Sequence, residues 1–199
     1  MEDTTIFRES GEKLYGVVKE KMNRQAYRSW QTMLNEALVR AAVIKYLKDH
    51  HFNSEEISKE TNEQLDRGFL WIEKLVDELE NFDRQRDKYP TLESYMPVLA
   101  EAYQSYATNI SSLDESFEER RPKIISFEGI QDGQTNVSNT LKELKINFDR
   151  PLLGHGRSFR GIDWELEPNE TYEIIITGNA FRTADGIPIK DHYLKFSTK

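Results

Sequence analysis

Arg121-Pro122-Lys123-Ile124-Ile125-Ser126-Phe127 is the stretch that decides the fold, because the hydrophobic period changes across it. Before it, apolar side chains recur every three or four residues; after it, they alternate. A helix repeats every 3.6 residues and a strand every two, so a single pattern cannot serve both. The change predicts an α+β chain of two domains. The first, residues 1–120, is an antiparallel helical bundle-like unit, and the second, 121–199, a small all-β sandwich.

Toward the N-terminus, Phe7, Leu14, Val17, Val18 and Met22 mark one helical stripe. The most apolar segment, Trp30 to Leu47, carries apolar residues round most of its circumference and is expected to be a central, largely buried helix. His50, His51 and Asn53 stop it. Ser54 is the expected N-cap of a short next helix, with Glu55 and Glu56 at the positive end of its dipole. Ile57 occupies the place a capping box gives to Glu or Gln. A third long helix is expected from about Asn62 to Phe82, ended by Tyr89-Pro90. Thr91 then caps a fourth helix reaching Leu113, with Pro97 able to kink its first turns.

Toward the C-terminus, four runs alternate: Ile125 and Phe127; Leu144, Ile146 and Phe148; Tyr172, Ile174 and Ile176; Leu194 and Phe196. Asp132-Gly133, Gly154-His155-Gly156, Pro168-Asn169 and Asp185-Gly186 supply turns between them. Short strands at this spacing predict an antiparallel sandwich.

Charge separates the halves. Residues 1–120 hold 16 Lys/Arg against 24 Asp/Glu, so the whole net charge of −8 lies there. A phosphate backbone would be repelled, and no nucleic-acid partner is expected. The absence of cysteine rules out disulfides, thiolate nucleophiles and Cys-based zinc sites. No apolar run approaches the roughly 20 residues of a transmembrane helix. Met1-Glu2-Asp3-Thr4-Thr5 has neither a basic nor an apolar segment of a signal peptide.

The β half carries an ordered set of motifs. These are Pro122-Lys123-Ile124-Ile125-Ser126, Asp132-Gly133-Gln134-Thr135-Asn136-Val137, Leu144 to Pro151, Leu166 to Tyr172, Phe181 to Ile187, and Phe196-Ser197-Thr198. In this order they resemble a bacterial Ig-like module of the kind repeated in exported bacterial proteins, which acts as a spacer or binding platform. Between Pro151 and Leu166 the chain is shorter than that module usually is, so one strand is expected to be stunted or missing.

In the helical half, Glu36 and Arg40 stand within the most apolar helix. Burying either charge alone is costly. At i, i+4 with the acid first they can pair with each other, which is the plainer reading. Asn35-Glu36 also resembles the Asn-Glu-x-x-x-acid string of gluzincin metallopeptidases, in which the Glu is the third zinc ligand after two histidines of a His-Glu-x-x-His helix. The span Phe7–Tyr46 is similar to an uncharacterised family of exported, metallopeptidase-like bacterial proteins whose helical domain precedes an Ig-like tail.

That resemblance implies Glu36 as a zinc ligand, with Asn35 and Arg40 in support. Arg40 is a departure, standing where an acid would orient a ligand histidine. A larger one is that no His-Glu-x-x-His occurs; the histidines are His50, His51, His155 and His192. His51 with Glu55 has metal-like spacing across an expected helix break, while His155 and His192 read as ordinary surface residues. The resemblance therefore implies the C-terminal part of a longer protein, exported to the periplasm or cell surface or as a lipoprotein. Its two-histidine segment would lie upstream, zinc would belong to the complete protein, and this chain alone would be inactive. The alternative is a non-catalytic structural or interaction protein, a helical bundle with an Ig-like module, binding protein or peptide ligands.

Overall fold

The computed structural model describes residues 5–153 and 165–199. Within them the chain is α+β and divides into two compact units, Met1–Arg120 and Arg121–Lys199.

The helical unit begins with a single 3-10 turn, Thr5–Phe7, leading into α1, Arg8–Arg24. Leu14, Val18 and Met22 form its buried stripe. α2, Trp30–Asp49, is capped by Ser29, whose hydroxyl accepts the Thr32 N–H. α3, Ser54–Asp66, is capped one residue earlier than expected. Asn53 Oδ1 accepts the Glu56 N–H at 2.8 Å, and Ser54 is already helical. Asn is an equally good cap, and one turn cannot be capped twice.

The expected helix Asn62–Phe82 is two helices, α3 and α4, Ile72–Arg84. Gly68 separates them with φ +103, a value that favours glycine. The Gly68 N–H reaches Leu65 O at 2.9 Å and the Phe69 N–H reaches Gln64 O at 3.0 Å, the paired bonds of a Schellman stop. Phe69, Leu70 and Trp71 then turn inward as a fully buried plug. Six apolar side chains from Phe69 to Val76 thus enter the core without a single continuous helix.

α5, Leu92–Thr108, starts at Thr91 with a reciprocal Thr91–Ser94 capping box and passes through Pro97 as one helix. It buries Tyr95, Leu99, Tyr103 and Tyr106. Asn109 ends it, and α6, Ile110–Arg120, follows, so the expected fourth helix is also divided.

α2 packs on α1, α3 and α4. Lys45 Nζ stands 2.5 Å from both Asp49 and Asp83, clamping α2 to α4. Those neighbours cover one side only. Val39, Val43 and Tyr46 remain 59%, 45% and 56% exposed. The expectation of a largely buried α2 is therefore corrected: a helix apolar all round needs neighbours all round, and α2 has them over part of its circumference.

The β unit has two small sheets among the described residues. β1, Ile124–Glu128, pairs antiparallel with β3, Lys145–Phe148. β2, Gln134–Val137, lies parallel to β5, His192–Thr198, and β4, Thr171–Ile176, pairs antiparallel on the other side of β5. The second sheet is thus mixed, where an antiparallel one was expected. Ile130, Val137, Leu166, Leu194 and Phe196 form the core, with Phe127, Leu144, Tyr172 and Ile174 packed against it. In β1 a register shift between Ile124 and Ser126 turns Ile125 out to 66% exposure. A bulge resets the two-residue alternation, so Ile125 does not share the inward face of Phe127.

Candidate functional site

On α2, successive residues project about 100° apart, and this separates the side chains that the sequence places together. Glu36 faces Tyr27 and Arg40. The Tyr27 hydroxyl donates to Glu36 Oε2 at 3.1 Å and accepts from Arg40 Nη2 at 2.7 Å. Arg40 Nη2 is 3.7 Å from the same carboxylate oxygen, so a phenol stands between the two charges of this i, i+4 pair. Arg40 Nη1 donates to Gln64 Oε1 at 2.8 Å, and Gln64 in turn donates to Glu60 at 2.6 Å. The guanidinium also lies over the Phe69 ring, 5.1 Å from its centroid. Arg40 is thereby locked among α2, α3 and the Phe69 plug.

Glu36 is held less tightly. Its side chain is 38% exposed against 16% for Arg40. Among the described residues only Oε2 is partnered. Around the helix from Glu36 come Val39 and Val43, the exposed apolar stripe. The carboxylate is therefore oriented from beneath by Tyr27 and open on one side, at the margin of an uncovered apolar surface.

Asn35 points elsewhere. It lines an apolar cleft of about 200 Å³ with Gln31, Leu34 and Leu38 of α2, Met96, Leu99 and Tyr103 of α5, and Phe7 and Trp30 at its ends. Trp30 settles there because Gly11 on α1 has no side chain; a Cβ would stand 2.6 Å from Trp30 Cε3. Tyr103 forms a wall, with Phe7 and Trp71 edge-on to its ring at 5.7 and 6.4 Å. Trp71 Nε1 and the Tyr103 and Tyr106 hydroxyls are buried and, among the described residues, make no hydrogen bond of good geometry. Burial pushes both phenols well above the usual tyrosine range.

The residues named for a metal do not converge. Among the described residues, no group of three or more His, Asp or Glu is placed to hold a metal ion. His51, at φ +58 just past α2, and Glu55 on α3 are both exposed. His155 lies outside the described residues. His192, expected at the surface, is half-buried: it opens β5, its ring centroid is 5.2 Å from that of Phe127, and among the described residues its Nε2 has no hydrogen-bond partner. Asp149 and Arg150 form a two-point surface pair at 3.1 and 2.9 Å. Arg150 draws the Asp149 carboxyl below the usual carboxylate range, helped by the Lys123 N–H.

Residues 6–102 match a domain of unknown function, DUF4932. The matched span runs from the first helical turn into α5 and contains Asn35, Glu36, Arg40 and all of the cleft except Tyr103. The match brings no activity with it. No curated protein and no solved structure matches the chain. Among the described residues, no helix is long and apolar enough to cross a membrane.

Proposed function

We propose that this chain is part of an exported zinc-metallopeptidase-like protein, in which the helical unit presents Glu36 to a metal whose histidine ligands lie on a segment outside these 199 residues. The observation that carries the reading is the setting of Glu36: half open, oriented by Tyr27 from below, and bordered by the uncovered stripe Val39, Val43 and Tyr46. An apolar face of this kind is a place where another segment packs. A helix laid along it would bring its own side chains over the outward carboxylate oxygen.

One carboxylate does not make a zinc site, which in catalytic proteins takes three protein ligands. The residues of this chain do not fit zinc by themselves, and we assign them no peptidase activity. Tyr27 and Arg40 would hold the Glu36 carboxylate in place, and Arg40 has donors only, so it would not orient a ligand histidine as an acid does. The β unit, with β2 and β4 flanking the last strand and two sheets sharing one core, serves in this reading as an Ig-like spacer. The acidic helical half favours protein or peptide partners over nucleic acid.

The test is metal content of the longer polypeptide. Glu36→Ala should lower its zinc affinity by more than the roughly 10–100-fold expected of a merely supporting residue. Unchanged zinc affinity, or a longer reading frame with no two-histidine helix, overturns the proposal. The Tyr27–Arg40–Gln64 network favours a second reading, a non-catalytic scaffold in which Glu36 only balances Arg40. The stability cost of Glu36→Gln separates the two.

A further inference from the structure

We infer that the cleft between α2 and α5 is a recognition pocket for a bulky apolar side chain of an extended peptide, with Gln31 and Asn35 holding the peptide main chain. The inference does not rest on the metal reading, because Glu36 lies about 200° round α2 from Leu34 in the cleft wall.

Size decides the ligand class. Sites for drug-sized molecules run to roughly 300–1,000 Å³, whereas an apolar cavity of about 150 Å³ takes a benzene ring. At about 200 Å³ the cleft holds one aromatic or large aliphatic side chain and little else. Its floor and walls are Leu34, Leu38, Leu99 and the Tyr103 ring, which offer no polar group to the occupant except at the rim.

At the rim stand two carboxamides. Gln31 and Asn35 are exposed, one turn apart on α2, and neither has a hydrogen-bond partner among the described residues. Each carboxamide has both a donor and an acceptor, the complement of a peptide N–H and C=O. A charged ligand has no counter-ion there. A peptide carrying an apolar side chain satisfies the apolar walls and the amide rim together. The pocket is also preformed: Trp30 rests against Gly11 and holds the end of the cleft open before any ligand arrives. Preformed walls reduce the ordering cost of binding.

The test uses the full chain and three probes: N-acetylphenylalaninamide, toluene and N-acetylglycinamide, followed by amide chemical shifts in nitrogen-15-labelled protein. The first probe should give saturable shifts at Leu34, Leu38 and Leu99. It should bind about fivefold or more tighter than toluene, the gain of at least one ordinary hydrogen bond. N-acetylglycinamide should not saturate. Leu38→Trp, which fills the cleft, should weaken binding at least about tenfold. Val43→Ser, on the exposed stripe, should leave it unchanged. The pair Gln31→Ala and Asn35→Ala alters exposed residues only and should erase the advantage over toluene while sparing toluene itself. No saturable shift at the cleft overturns the inference. So does equal affinity for the first two probes, or an advantage that survives loss of both carboxamides.

Discussion

Glu36→Gln and Arg40→Ala should have very different costs. Arg40, at 16% exposure, donates to Gln64 and Tyr27 and lies over Phe69. Hydrogen bonds to a charged group contribute about 1.5–3 kcal/mol each, and the ring contact about 0.5–1 kcal/mol. Truncation also strands Oε1 of the buried Gln64, while the lost side-chain ordering offsets part of the sum. About 2–4 kcal/mol is expected for Arg40→Ala. Glu36 is 38% exposed, and its contact with Arg40 at 3.7 Å is bridged by Tyr27. A pair so exposed contributes roughly 0–1 kcal/mol, and glutamine keeps an acceptor for Tyr27. Urea unfolding followed by helical circular dichroism measures both, with equal m-values as the control. A loss above about 2 kcal/mol for Glu36→Gln would mean that the carboxylate serves the fold. That would refute the reasoning and favour the scaffold reading. A small loss leaves Glu36 without a structural reason for its place in an apolar helix.

Four further outcomes follow from the same geometry. Gly16→Ala, where nothing lies within 4 Å of the added Cβ, should stabilise α1 by about 0.5–1 kcal/mol. Gly11→Ala five residues earlier should destabilise by about 1–3 kcal/mol as Trp30 is displaced, both read as shifts in denaturation midpoint. Gly68→Ala should cost at least about 1–2 kcal/mol in the same assay, because φ +103 is retained by the Schellman bonds while the new Cβ crowds Met22 at 3.1 Å. At alkaline pH the helical unit should weaken. Burial and the hydrogen bond to Glu78 raise Tyr95 to about 12, so its stabilising share is complete below the unfolded value near 10 and is lost as pH climbs toward 12. Absorbance at about 295 nm should show tyrosine ionisation coinciding with loss of helix above pH ~10; Tyr95→Phe should reduce this dependence by the share of Tyr95, leaving that of the buried Tyr103 and Tyr106, and an unchanged profile would count against it.

Much of the fold was legible because it is written locally. Thr91 caps α5 where its side chain and Ser94 exchange bonds, and the strands Tyr172–Ile176 and Leu194–Phe196 keep the alternation their residues announce. The Gly68 stop was missed, because the apolar repeat across Leu65, Phe69 and Ile72 runs through it: three consecutive inward residues in a loop mimic helical spacing. Ile125 misleads for the opposite reason: one extra residue in β1 reverses which side chains face in, and nothing local marks the bulge. The candidate site divides in the same way. Asn35 and Glu36 are neighbours in the string, yet one lines the cleft and the other meets Tyr27.

The sequence by itself determined where helices give way to strands, that Thr91 caps α5, and which side chains are apolar enough to form two cores. Short-range periodicity and capping chemistry suffice for that. Tertiary structure decided that β2 runs parallel to β5, that Tyr27 comes between Glu36 and Arg40, and that Phe7, Leu38 and Leu99 enclose one cleft. Those outcomes join residues far apart in the chain. They depend on which surfaces exclude water together, a property of the packed whole that no window of neighbouring residues contains.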